Sequence, residues 1–205
     1  MQKFESLDIP DTGYKAVIFD LDGTLVDSMP AHFAAWRNAL ERNNVPLTVF
    51  PEDVFYAMGG RPTRDIVEDL NGEFNLNLNP ELVSFAKREE YLKNLDKVVL
   101  IDDVINFARS LRGKMPLGIA TGGGRIVVEK TLQFMGISDL FDEVVTAKDV
   151  ENGKPAPDVY LEAASRLGVA PEDCLAFEDA PAGMMAAQAA GMQVVSVPAP
   201  LRIIS

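Results

Sequence analysis

Short apolar runs recur along the chain, and each stops at polar or small residues. Ala16 to Phe19 (AVIF) is the first, halted by DLDGT; LGIAT (Leu117 to Thr121), EVVTA (Glu143 to Ala147), CLAFE (Cys174 to Glu178) and QVVSV (Gln193 to Val197) follow. Their length and β-branched content predict strands. Several are apolar throughout instead of alternating, which marks strands covered on both faces. Between the later strands the apolar residues fall at helical spacing. Ile126 to Met135 places Val127, Val128, Thr131, Leu132 and Met135 in this way before Gly136, and Pro157 to Leu167 repeats it before Gly168. Ala182 to Ala190 is built of small residues and methionine ahead of Gly191, suiting a helix pressed closely on a sheet. Strand and helix alternate from about Leu100 to Val197, which predicts an α/β fold with a mainly parallel sheet flanked by helices and joined by right-handed crossovers.

The stretch from Pro30 to Asp96 breaks this alternation. PAHFAAWRNALERN carries His32, Phe33, Trp36 and Leu40 along one helical face, and RDIVEDL and PELVSFAKREEYLKNL are also helical in period, with no convincing strand among them. The expected organisation is an α/β core of residues 1–29 and 97–205, interrupted by an inserted helical block of residues 30–96. At 205 residues the chain is long enough for one buried domain carrying a smaller insert, and a monomer fits that size.

Composition narrows the function. Apolar residues make up 47% and charged residues 24%, as in ordinary soluble globular proteins. Nineteen basic against thirty-one acidic residues give a net charge of −12, which disfavours nucleic acid and anionic lipid as partners and requires a locally positive pocket for any small anionic substrate. The single cysteine, Cys174, cannot form an internal disulfide, and one cysteine with one histidine cannot make a zinc site. A reducing, cytoplasmic location fits. The opening MQKFESLDIPDTGYK has charges and a proline where a signal peptide needs an apolar run, and no segment approaches the ~18 apolar residues of a membrane span.

The chemistry concentrates at strand ends. In an open parallel sheet, ligands gather beyond the carboxyl ends of the strands. Asp20 and Asp22 stand at such an end, two residues apart and therefore able to face one site, with Gly23 turning the chain away. Two close carboxylates both ionise at neutral pH only beside a cation; otherwise one holds a proton and becomes a donor. An oxygen-coordinated ion such as Mg²⁺ is the natural cation.

DLDGTLVDS resembles the first motif of the haloacid dehalogenase superfamily, a group dominated by aspartate-dependent phosphatases and phosphomutases. Matches to its other motifs follow in order. Thr121 corresponds to the hydroxyl residue of the second, Lys154 in GKPAPDVY to the lysine of the third, and Glu178 with Asp179 in LAFEDAPAGMMAAQAAGM to the acidic fourth. The resemblance runs from about Tyr14 to Val197. It implies a Rossmann-like core with an inserted helical-bundle cap, like that of the branch containing β-phosphoglucomutase and small sugar-phosphate phosphatases.

What the resemblance implies for mechanism is specific. Asp20 would attack the phosphorus of a phosphomonoester and form an aspartyl phosphate. Asp22 would protonate the leaving oxygen and then deprotonate the hydrolytic water. Mg²⁺ would be held by the Asp20 and Asp179 carboxylates and the Asp22 carbonyl, with Glu178 supporting. Lys154 and Thr121 would stabilise the transferring group. True dehalogenases lack the second aspartate, so that activity is excluded. His32 near the cap hinge, Gly60, Arg61 and Arg64 in MGGRPTRDI, Lys87, and Gly122, Gly123 and Arg125 are the substrate-binding candidates, with Arg88 a further cation. For each cap cation, an ordinary solvated charge is the competing reading. Cys174 and the methionines, Met184 and Met185 included, are expected in the core.

Phosphatase and mutase remain alternatives. Related mutases carry a Ser-Lys pair soon after the position of Thr121, where this chain has Gly123-Gly124 followed by Arg125; Arg125 or Arg61 would have to substitute. The GGRPTRDI segment resembles sugar-phosphate phosphatases more closely, notably those acting on fructose 1-phosphate. A phosphate-binding regulator without catalysis is the reading from another class, weighed against the presence of every residue the chemistry needs.

Overall fold

Seven strands and eight α-helices appear among the residues described in the computed structural model, 7–58 and 62–198. In chain order they are β1 (Ala16–Phe19), β2 (Val26–Asp27), α1 (Met29–Glu41), α2 (Glu52–Ala57), α3 (Thr63–Phe74), α4 (Pro80–Lys93), β3 (Val99–Leu100), α5 (Asp102–Leu111), β4 (Leu117–Ala120), α6 (Arg125–Phe134), β5 (Glu143–Val145), α7 (Asp158–Leu167), β6 (Cys174–Glu178), α8 (Pro181–Ala189) and β7 (Gln193–Ser196). They fall into two compact units. Among the described residues, one combines 7–27 with 99–198, and the other is Ser28–Val98.

The first unit holds a parallel five-stranded sheet in the order β5-β4-β1-β6-β7. β1 lies at its centre and all four of its residues are buried, which explains the unbroken apolar run. Strand alternation sorts the side chains onto two faces. Ala16, Ile18, Cys174 and Ala176 join a cluster with Val159, Tyr160, Ala163 and Ala164 of α7 and Ala186 and Ala187 of α8. On the other face Phe19 packs against Phe177 and Phe141, and Phe107 of α5 closes on Phe177 with 5.1 Å between ring centroids. Cys174 is wholly buried, and burial pushes its thiol up to about 11.

Small residues in α8 let it lie close to the sheet, but Met185 is 58% exposed and is not the core filler expected from composition. Its position points away from the buried Gly183, Ala186 and Ala187. A two-residue antiparallel ribbon, Val26 with Leu100 and Asp27 with Val99, joins the point where the chain leaves this unit to the point where it returns.

The second unit is helical. Trp36, Leu40, Phe50, Ile66, Leu70 and Val83 form its core, contributed mainly by α1, α3 and α4. On α1 the fully buried residues are Ala31, Ala35, Trp36, Ala39 and Leu40, while His32 and Phe33 are only half-buried; the stripe is rotated from the face predicted, because the alanines allow α4 to approach closely. Glu90 of α4 is buried but satisfied: Asn38 and Lys93 donate to it at 3.0 and 2.8 Å, and Arg42 pairs with it. Hydrogen bonds from Lys93 lower its pKa despite burial.

Candidate active site

Register brings the first two acids together. β1 and β6 run parallel with Ile18 opposite Ala176 and Phe19 opposite Phe177, and the Asp20 amide donates to the Phe177 carbonyl at 3.0 Å. One step further along the ladder lie Asp20 and Glu178. Both continue the Ile18–Ala176 face, the face that α7 covers. The turn leading into α7 carries Lys154, whose Nζ donates to Asp20 Oδ1 at 2.6 Å and to Glu178 Oε1 at 2.5 Å.

The surroundings of Glu178 are fully specified. Its Oε1 also accepts from the Tyr160 hydroxyl at 3.0 Å, and its Oε2 from the Ala180 amide at 3.1 Å. Gly183 packs so tightly against it that a β-carbon there would lie 1.6 Å from Oε1. Asp179, next in the chain, accepts from the Thr24 hydroxyl at 2.9 Å. Gly23 makes room for it: its φ of +96° suits glycine, and an added β-carbon would lie 2.2 Å from Asp179 Oδ2.

At the end of β4, Thr121 is buried; its amide donates to the Val145 carbonyl and its Oγ1 accepts from the Gly123 amide, both at 3.0 Å. A β-carbon on Gly123 would meet Thr121 Oγ1 at 3.3 Å and Asp22 Oδ2 at 3.8 Å, so Asp22 faces this loop. Gly122 and Gly124 have open space where side chains would stand.

Three carboxylates, of Asp20, Glu178 and Asp179, offer oxygen atoms that all lie within 4.8 Å of one another. Lys154 supplies one positive charge against them. Burial raises the Asp20 carboxyl well above the ordinary range, and the charges of Glu178 and Asp179 push the same way against Lys154. Burial likewise pushes Asp179 up to about 6, with Glu178 adding to the effect and the Thr24 bond opposing it. Lys154 loses some affinity for its proton to burial, but Asp20 and Glu178 more than restore it, so it remains an ammonium. This excess of buried negative charge, presented by oxygen donors alone, fits a hard divalent cation. With Glu178 turned to Lys154 and Tyr160, Asp20 and Asp179 are the carboxylates best disposed to receive one.

The remaining candidates are placed as follows. Arg125, at the start of α6, pairs with Asp149 at 2.6 Å and lies 3.4 Å from the Val144 carbonyl. In the helical unit, the His32 ring stacks on Tyr91 with 4.2 Å between centroids. Arg64 pairs with Glu68 at 3.0 Å and approaches Glu81 at 4.0 Å. Lys87 reaches Thr63 Oγ1 at 3.4 Å and lies 5.3 Å from the Trp36 ring centroid, and Arg88 lies over Phe85. Gly60 and Arg61 fall outside the described residues. Tyr160 was missed by the motif reading; its signal was a tyrosine on the buried face of a helix otherwise lined with alanine and valine, where a phenol needs a partner.

The parallel α/β sheet thus gathers an aspartate, a lysine and an acidic pair at one end, in a chain whose family is one of hydrolases. The chain belongs to the haloacid dehalogenase-like hydrolase family, whose model it matches over residues 14–191. Among curated relatives, a fructose-1-phosphate phosphatase of Escherichia coli is 35% identical over 184 residues, covering 90% of this chain and 96% of its own. A β-phosphoglucomutase of Bacillus subtilis is 32% identical over 192 residues, covering 89% and 83%. In fold, the chain is similar to the solved structure of CbbY from Rhodobacter sphaeroides in complex with phosphate, with a TM-score of 0.79 at 21% identity, over 88% of this chain and 84% of that one.

Proposed function

We propose that this protein is a Mg²⁺-dependent phosphatase of small sugar phosphates that works through an aspartyl phosphate on Asp20. The observation that carries the reading is the Lys154 ammonium bridging Asp20 and Glu178 at 2.6 and 2.5 Å beside Asp179. The Asp20 carboxylate attacks phosphorus in line, and the sugar oxygen leaves with a proton from Asp22. Asp22, now a carboxylate, takes a proton from the water that attacks the aspartyl phosphate, and inorganic phosphate departs with the Asp20 carboxylate and the protonated Asp22 regenerated. Lys154 opposes the burial that favours a protonated Asp20 and neutralises charge on the transferring group, while the Thr121 hydroxyl and the open Gly122–Gly124 loop receive its oxygens. Mg²⁺, held by the Asp20 and Asp179 carboxylates and the Asp22 carbonyl, would when bound offset the surplus negative charge and polarise the phosphoryl oxygens.

The helical unit Ser28–Val98 carries the candidate substrate-reading residues His32, Arg61, Arg64 and Lys87. Hydrolysis is favoured over mutation. A mutase must hold a second phosphate, yet the Ser-Lys position is Gly123-Gly124, and Arg125 is committed to Asp149. Similarity to a phosphatase that acts on fructose 1-phosphate supports a phosphorylated hexose or a related sugar as substrate. A phosphate-release screen over hexose and pentose phosphates tests this, run with Mg²⁺, with EDTA, and beside an assay for conversion of β-glucose 1-phosphate to glucose 6-phosphate with a bisphosphate primer. Release that requires Mg²⁺ is expected; undiminished release in excess EDTA, or conversion outpacing release, would contradict it. A cytoplasmic location accords with this role, and no helix among the described residues is long and apolar enough to cross a membrane.

A further inference from the structure

Two carboxylates compete for one ammonium at the centre of this site. Lys154 Nζ is 2.6 Å from Asp20 and 2.5 Å from Glu178, and any change that strengthens Glu178 as an acceptor draws Lys154 away from Asp20. The Tyr160 hydroxyl donates to the same Oε1 that accepts Lys154, at 3.0 Å, and so shares the charge of Glu178. The ring itself bounds the ammonium, with Lys154 Nζ 5.0 Å from its centroid, inside cation–π range. Tyr160 is completely buried and sits in the first turn of α7, its amide donating to the Pro157 carbonyl, just after the turn that carries Lys154. Gly183 and the Ala180 amide hold Glu178 from its other sides, so the carboxylate cannot move to compensate.

We propose that Tyr160 is a positioning residue for phosphoryl transfer: its hydroxyl and ring hold Glu178 and Lys154 so that the ammonium stays on Asp20. The inference rests on the phosphatase reading for its catalytic consequence, and on hydrogen-bond geometry alone for the contact. Tyr160 does not touch the reacting atoms. Its loss should therefore be felt where charge builds on the transferring group, and not in ground-state binding.

The test compares wild type with Tyr160→Phe, which deletes one oxygen, and with 4-aminophenylalanine at position 160, which restores a donor. Turnover is measured on p-nitrophenyl phosphate and on the best sugar phosphate. Affinities for inorganic phosphate and for orthovanadate, a five-coordinate mimic of the transferring group, are measured by calorimetry, whose stoichiometry also gives the fraction of folded sites. For Tyr160→Phe we expect kcat and vanadate affinity to fall together, by about 5- to 50-fold, while KM and phosphate affinity stay within about twofold. The amino variant should lie within about threefold of wild type in every parameter.

Turnover of Tyr160→Phe equal to wild type, or phosphate and vanadate affinities falling equally, would overturn the proposal. So would an amino variant as impaired as phenylalanine, even if the phenylalanine variant itself failed to fold. A wild type inert toward all phosphomonoesters would count against the phosphatase reading alone, because the vanadate and phosphate titrations would still report on Tyr160.

Discussion

Lys154 Nζ lies 2.6 Å from Asp20 Oδ1 on one side and 2.5 Å from Glu178 Oε1 on the other, so a single ammonium joins two carboxylates on neighbouring parallel strands. The lysine side chain is 12% exposed and its two partners 10% and 1%. Removing one member of so buried a cluster leaves charge without compensation. Lys154→Met is expected to lower kcat by about a thousandfold or more, through loss of the charge facing the transferring group. The same change should cost on the order of 3 kcal/mol of stability. Phosphate release and urea unfolding at pH 7 check the two effects separately, and a stable, fully active variant would remove Lys154 from the account.

Gly23 is required by both conformation and space. Its φ of +96° strains any other residue, and a β-carbon would lie 2.2 Å from Asp179 Oδ2. Gly23→Ala should push the Asp179 carboxylate out of place and cost about 1–3 kcal/mol. The sharper signature is metal affinity: calorimetric titration with Mg²⁺ should show binding weakened by about tenfold or more. Unchanged affinity would mean that Asp179 does not hold the ion.

Asp149 ties the end of β5 to the start of α6. Burial pushes its carboxyl up, but the Thr146 hydroxyl and amide and the Arg125 guanidinium donate to it and hold it down at about 2. A folded-state pKa below the ordinary 3.8 means that the unfolded chain takes up the proton first as pH falls. The stabilisation is therefore complete above about pH 4 and is lost progressively towards pH 2. Unfolding free energies of wild type and Asp149→Asn from urea titration should differ by about 1–2 kcal/mol at pH 7, with the gap narrowing at pH 3. A gap that widened on acidification would contradict the assignment.

Much of this architecture was legible along the chain, for reasons that particular elements make clear. β1 and β6 coincide with the predicted Ala16–Phe19 and Cys174–Glu178, because strands buried on both faces announce themselves as unbroken apolar runs. α2 was not legible, since six residues are too few to display a helical period. The β2–β3 ribbon was hidden for a related reason: two residues per strand carry no alternation, and the pairing depends on chain ends 72 residues apart, Asp27 with Val99. In the candidate site, Asp20 was visible as an acid at the end of an apolar strand, whereas Lys154, Glu178 and Asp179 were singled out by their match to the superfamily's later motifs. Tyr160 and the commitment of Arg125 to Asp149 were not, because both are set by tertiary packing that local pattern does not encode.

Catalysis turns on Asp20 as a nucleophile, and rapid acid quench of a single turnover tests that directly. Wild type mixed with a sugar phosphate and Mg²⁺, quenched within milliseconds and digested, should yield a peptide phosphorylated on Asp20 by mass spectrometry; Asp20→Asn should yield none and release no phosphate. Fast phosphate release from Asp20→Asn, or wild-type turnover with the phosphoryl group on another residue, would contradict the mechanism.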